Sequence, residues 1–341
     1  MSFVVFAVRR TAEMAATLFA ASFVVFGAMY LAPGSPASFL LSGRSASPEA
    51  LAAINSQYHL DDPFAVRYFA WLGNVLQGDF GQSITYRTDV SRLLADRLPT
   101  TLLLIAMSLT VVVLVGLFLG GLAAVRGGAT DSAVLVATTF AVATPSFVAA
   151  VLLQGLFAVR LGWFPSGGSG DGPVDMLRHL TLPAVALALY LIGMLTRVTR
   201  SAMLEALDSE HVTVARSRGV PERQVIRRHA FRNSLGTILT TGGLVVSTLL
   251  VCTILVETAF SVGGIGQLLE LSTTTKDFPT VQAIALIVVA LFMAVNLVVD
   301  LLLPLADPRL TLGTRGAAAG PPYSPAGPAC PGSAPPAHRS T

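Results

Sequence analysis

Residues 196–235 read TRVTRSAMLEALDSEHVTVARSRGVPERQVIRRHAFRNSL, a basic stretch between two long apolar runs. Six arginines fall between Arg216 and Arg232. At about 2.5 to 3.5 kcal/mol each at the centre of a membrane helix, they would together cost roughly 15 to 20 kcal/mol to insert. The stretch therefore sits in water.

Working outward, the 341 residues are 53% hydrophobic and only 12% charged, where a soluble domain is about a quarter charged. That places the chain in the membrane class. The net charge of +3 is small, so the position of the arginines says more than their sum. Cys252, in an apolar run, and Cys330, near the C-terminus, suggest neither a disulfide framework nor a metal site. No G-x-x-x-x-G-K-[ST] phosphate loop occurs, and Lys276 is the only lysine, so the chain does not bind ATP by that route.

Six apolar stretches, 12–31, 101–125, 133–159, 180–196, 238–259 and 281–305, are long enough to span about 30 Å of hydrocarbon. The first follows Arg9 and Arg10 and runs into Pro33-Gly34-Ser35-Pro36 rather than a small-residue cleavage site, so it is expected to stay as an anchor. With the N-terminus inside, the inner side collects Arg9, Arg10, Arg126, the eight arginines of 197–232, Arg309 and Arg315. The outer short loops then hold only Arg160, Arg178 and Lys276. The positive-inside rule thus expects a multi-pass protein of the cell's inner, cytoplasmic membrane with both termini cytoplasmic.

The chain divides into an N-terminus with the first span (1–32), an extracytoplasmic segment (33–99), a core (100–310) with the basic loop at 197–235, and a tail (311–341). In the second part, helical apolar spacing over 48–71 and the turn Asp61-Asp62-Pro63 predict short helices over the outer mouth. The tail is rich in Pro, Gly, Ala and Ser and is read as disordered. Gly116, Gly120 and Gly121 have the small-residue spacing of close helix packing.

Within the loop, Met203, Leu204, Leu207, Val212, Val214 and Ala215 recur at helical spacing among Glu205, Asp208, Glu210, Arg216 and Arg218, predicting one amphipathic helix. Gly219 ends it, and Pro221 suits the first position of a second helix running to about Leu235, which carries Arg223, Arg227 and Arg228. Such a helix–turn–helix fits docking onto a protein or onto anionic lipid headgroups, or is plain positive-inside charge. Its tether between two spans argues against nucleic acid.

Polar groups in or beside the spans are candidates for a passage, being costly against lipid: Thr144, Ser146, Gln154, Glu257 and Asn296. Glu257 is read equally as an interfacial carboxylate, and Asp300 as the partner of an arginine at its own end. His179, His211 and His229 lack ligand spacing and are read as structural or interfacial. Pro145 and Pro183 are expected to kink or start helices, with helix entry preferred for Pro183.

Ala215-Arg216-Ser217-Arg218-Gly219, then Glu222-Arg223 and Arg228-His229-Ala230-Phe231-Arg232-Asn233, resemble the coupling loop of ABC importer permeases of the dipeptide, oligopeptide and nickel group. The resemblance continues through Leu31-Ala32-Pro33-Gly34-Ser35-Pro36, Gly78-Asp79-Phe80-Gly81-Gln82-Ser83, Arg97-Leu98-Pro99-Thr100-Thr101-Leu102, Val256-Glu257-Thr258, Gly264-Ile265-Gly266, Asp277-Phe278-Pro279 and Asp307-Pro308-Arg309. It covers about 5–310. Thr213 stands where the motif often has glutamate, Ser35 replaces an aspartate, Gly263 a proline, and Gly236-Thr237 lacks the usual Leu-Pro.

The resemblance implies an all-α polytopic membrane protein, about six transmembrane helices in a type I importer bundle, that is itself not an enzyme. It implies a second permease, more often a different chain, two cytoplasmic ATPase subunits holding ATP and magnesium, and an extracytoplasmic substrate-binding protein. The substrate class implied is di- or oligopeptides moved by alternating access, with nickel or another small solute as the alternative. A non-transporting scaffold is a further one. Thr213, Ala215, Arg216, Arg218, Gly219, Arg228 and Asn233 are the implied contacts to the ATPase, Ala215 and Gly219 through close backbone approach.

Overall fold

In a bilayer the backbone finds no water, so each apolar run satisfies its own amides as a helix. The computed structural model describes residues 3–31 and 62–306. Its helices are α1 (Phe3–Leu31), α2 (Phe64–Leu76), α3 (Val90–Arg126), α4 (Gly128–Ala143), α5 (Ser146–Leu153), α6 (Pro173–Leu207), α7 (Glu210–Ser217), α8 (Arg232–Phe260), α9 (Ile265–Thr274) and α10 (Phe278–Ala306). π-helical turns cover Gln154–Arg160 and Val225–Phe231, the second preceded by one α-turn, Glu222–Gln224. The turn at 33–36, the tail and Asp307-Pro308-Arg309 lie outside the described residues.

At the centre, α3, α6 and α8 bury Leu104, Val112, Leu187, Leu191, Leu195 and Leu249 against one another. α4 and α5 pack on α6, α10 on α8, and α1 lies outside on α10. Five segments, Ala7–Ala28, Val90–Arg126, Pro173–Leu207, Glu222–Phe260 and Phe278–Leu301, are long and apolar enough to cross a bilayer. The pair Gly128–Ala143 and Ser146–Arg160 makes a sixth when taken as one broken span.

The break in that pair falls where Pro145 is expected to kink or start a helix: the two pieces are bent by 98°. Pro145 disfavours the helical conformation in the residue before it, and Thr144 is extended at φ −91°, ψ 113°. Pro183 does not start a helix, the role preferred for it in the sequence. It is buried ten residues inside α6, which instead begins at Pro173 after Gly172. A proline needs no donor partner in a first turn, and inside a membrane bundle its neighbours absorb the break.

Glycine sets the spacing of the central helices. A Cβ on Gly120 of α3 would stand 2.7 Å from both the Thr196 carbonyl oxygen and the Thr199 Cβ of α6. On the other side of α6, one on Gly193 would stand 2.9 Å from the Thr138 carbonyl oxygen of α4. Only a bare Cα lets backbones approach this closely.

In the described part of the second segment, α2 packs on α1, with Phe64, Tyr68 and Trp71 against Phe23 and Phe26. Its apolar face finds a matching aromatic stripe there, and Tyr68 is 2% exposed with its hydroxyl 2.8 Å from Ser22 Oγ.

Candidate functional site

The basic stretch forms one end of the bundle. α6 does not stop at Thr196 but continues to Leu207, so Arg197 and Arg200 belong to the membrane helix and the turn begins at Asp208. The single amphipathic helix expected before Gly219 is broken at Asp208-Ser209: Ser209 is extended (φ −75°, ψ 150°) at the start of α7. Serine is a favoured residue there, and Glu210 in the first turn suits the positive helix end. Both pieces share one apolar period, which hides the break in the sequence.

α7 ends as expected. Gly219 has φ +75°, and the Val220 N–H donates back to the Ala215 carbonyl at 3.2 Å, the left-handed closure a glycine allows. Pro221 is the cap rather than the first helical residue, its carbonyl accepting from Gln224 and Val225 at 2.8 and 3.1 Å. The chain then passes through the π turn into α8 without interruption, so Glu222–Phe260 is one 39-residue rod. Both arms of the joint are thus extensions of membrane helices or packed on them.

Two small cores hold the joint rigid. Val212, Ala215 and Val225 close the helix–turn–helix on itself, and Met203 and Ala230 pack with Ala124 at the end of α3. Ala215, 7% exposed, has its methyl group in the first of these. Arg216 bridges the Gly219 turn, donating from Nη2 to Glu222 Oε1 at 2.7 Å and from Nε to Oε2 at 3.2 Å. This hydrogen-bonded carboxylate raises the Arg216 guanidinium further above its ordinary pKa. Asn233 reaches back to His211, Nδ2 to Nε2 at 2.7 Å, tying the root of α8 to α7.

Thr213, Arg218, Gly219 and Arg228 are exposed around this scaffold. A cleft of about 550 Å³ between the end of α3 and the joint is lined by Val125, Leu204, Glu205, Asp208 and Ile226 among others. Further charges clamp the same end: the Arg200 guanidinium sits on the Asp131 carboxylate of α4, and Arg197 Nη2 donates to Thr139 Oγ1 at 2.8 Å. Asp300 finds its arginine, Arg10, at 3.3 Å, bringing the start of α1 and the end of α10 to the basic end.

The opposite end is pinned by two buried carboxylates. Glu257, 0% exposed, accepts from Thr101 Oγ1 at 2.6 Å and from the Gly266 and Gln267 N–H groups at 2.8 and 3.2 Å. Within this chain its carboxylate is fully enclosed by these donors. Asp277 accepts from the hydroxyls of Ser83 and Thr280 and from the Ile84 N–H. Together they fasten α9 and the segment before α3 onto the bundle. Nothing in the sequence marks these long-range pairs, since each joins residues 156 to 194 apart.

The other polar candidates are dispersed. Thr144 sits at the 98° bend and bonds to its own Phe140 carbonyl, and Asn296 to that of Phe292. Ser146 is beside Cys252 of α8, and Gln154 holds the Ser166 carbonyl of the following loop. Among the described residues, no three His, Cys, Asp or Glu side chains converge as metal ligands would.

A broken-span helical bundle with a rigid basic joint at one end is the architecture of an ABC importer permease. The fold is similar to that of the MetNI methionine ABC transporter in an inward-facing form, with a TM-score of 0.50 and 19% identity over 63% of this chain and 96% of that one. The binding-protein-dependent transport system inner membrane component family matches residues 112–312, and its N-terminal component matches 3–105. The chain belongs to this family. Among curated relatives, a putative peptide transport system permease of Brucella abortus is 39% identical over 306 residues, 89% of this chain and 97% of that one. The oligopeptide permeases OppB of Salmonella typhimurium and AppB of Bacillus subtilis are 36% and 34% identical, each over 89% of this chain and 98% of its own length.

Proposed function

We propose that this permease is one half of the membrane pore of a peptide importer, moving di- or oligopeptides by alternating access. The peptide or oligopeptide names of the similar permeases favour this substrate class over nickel or a scaffold role. In this reading the basic end, with its excess of arginines, faces the cytoplasm across the inner membrane, both termini included, and the Arg10–Asp300 pair brings the start of α1 and the end of α10 together. A second permease of different sequence completes the pore. Two cytoplasmic ATPase subunits, carrying ATP and magnesium, drive it, and an extracytoplasmic binding protein delivers the peptide.

One observation carries the mechanism: the joint is closed by its own small core and runs without a break into α8 through Glu222–Phe260. Seated in a groove of an ATPase subunit, it acts as a lever, and closure of the ATPase pair tilts α6 and α8 from one packing to another. Gly219 lets the backbone approach the partner closely, with Thr213, Arg218 and Arg228 exposed as its contacts. Ala215 packs within the joint against Val225, while Arg216 and Asn233, exposed and tied to Glu222 and His211, are further contacts. Thr144 and Ser146 at the bend, with Gln154 and Asn296, are the proposed polar points along the pathway.

Gly219→Trp tests this in the purified, reconstituted complex. The variant is expected to insert and assemble while ATP hydrolysis continues without peptide uptake. Full coupled uptake by the inserted variant would remove the docking role. Retention of peptide by the co-purified binding protein tests the substrate class separately.

A further inference from the structure

α2 reads FAVRYFAWLGNVL, with Arg67 its only charged residue. Phe64, Tyr68 and Trp71 are spent on α1. The face turned away from α1 is apolar: Val66 is 54%, Phe69 61% and Leu76 80% exposed, with Ala65 and Ala70 between them and the polar Arg67 and Asn74 at its flank. A short helix showing such a face to water would be an association hazard.

The depth of α2 follows from α1. Arg10 and Asp300 pair across α1 and α10, which marks one headgroup level. From Arg10 a helix rises about 1.5 Å per residue, so Phe19 to Phe26, where α2 crosses, stand roughly 14 to 24 Å farther in. The hydrocarbon is about 30 Å thick, so the crossing runs from about its midplane into the half remote from the basic end. The side of α1 next to it, with Phe19 51%, Phe23 49% and Val24 67% exposed, continues the same apolar surface. At that depth the Tyr68 and Ser22 hydroxyls satisfy each other rather than water.

We propose that α2 is embedded in the leaflet remote from the basic end, with its Val66, Phe69 and Leu76 face against lipid acyl chains. The segment read from sequence as an extracytoplasmic cap thus contributes a membrane-bound helix that widens the lipid-facing rim at α1. It leaves the bilayer through Gly78, whose carbonyl accepts from Ser91 Oγ at 2.6 Å near the start of α3. The proposal rests on the chain crossing a membrane and on no particular solute.

The test uses the full chain, co-purified with its partners and returned to vesicles, with Cys252 and Cys330 replaced by Ala. Nitroxide labels go on Val66→Cys or Phe69→Cys, and on Gln82→Cys as an exposed control. Lipid contact predicts that labels at 66 and 69 collide readily with oxygen and poorly with a water-soluble nickel chelate, the reverse of 82. Free collision with the chelate at 66 and 69 would overturn the proposal in favour of an aqueous face. Shielding from both would overturn it in favour of a protein partner. Should the cysteine variants fail to assemble, Trp71 emission in the Trp163→Phe chain gives a second reading. Brominated acyl chains should quench it and acrylamide should not, and the opposite result rejects the assignment.

Discussion

Glu257 shows how far a residue's role depends on what surrounds it. Its two oxygens receive three donors in a site with no exposure. Glu257→Ala orphans all three and should cost about 3 kcal/mol or more, read as a lowered thermal midpoint in detergent, with Glu257→Gln recovering part by keeping one acceptor. Thr199 presents the reverse case. Its buried hydroxyl has no partner among the described residues, so Thr199→Val, which keeps the shape, should leave the midpoint unchanged or raise it. A fall would mean that the hydroxyl is satisfied in the membrane. At Gly219 a Cβ would meet open space but the backbone is left-handed, so Gly219→Ala should lose about 1 kcal/mol and Gly219→Asn less.

Among the helices, the contact of α3 with α6 is the most demanding. Gly120→Ala forces a methyl group into the space held by Thr196 and Thr199 and should cost about 1 to 3 kcal/mol. Its neighbour Gly121 faces only the Met203 sulfur at 3.6 Å, so Gly121→Ala should be tolerated. Paired unfolding measurements check this, and equal effects at both positions would show that the crossing is loose. The glycine spacing was legible in the sequence, but which glycine touches which helix was not, because helical spacing does not specify the neighbour. The π turn at Val225–Phe231 was equally illegible: it widens a helix whose residues all suit an ordinary one.

For the molecule as a whole, the charges that oriented the chain also clamp it. Arg200→Asp should loosen α4 from α6, and adding Asp131→Arg should restore much of the lost uptake, since the pair joins the two helices directly. Uptake in vesicles by the single and double variants measures the coupling, and equal loss in both would deny the pair a role. The same-side arrangement of the start of α1, the joint and the end of α10 is checked by labelling single cysteines from either face of the membrane. Labels at residues 8 and 218 should react from one face, and Gln82→Cys from the other.

The membrane class, the spans, the basic joint and its Gly219 turn followed from the sequence alone, because burying arginines in hydrocarbon and leaving backbone amides unpaired there are both prohibitive wherever the rest of the chain lies. The helix–turn–helix boundaries, the 98° bend, the place of α2 beside α1 and the roles of Glu257 and Asp277 were decided only in three dimensions. They depend on which distant helix supplies the donor, the gap or the aromatic face. Local spacing carries no record of that choice, since contacts between residues far apart in the chain arise only when the helices pack.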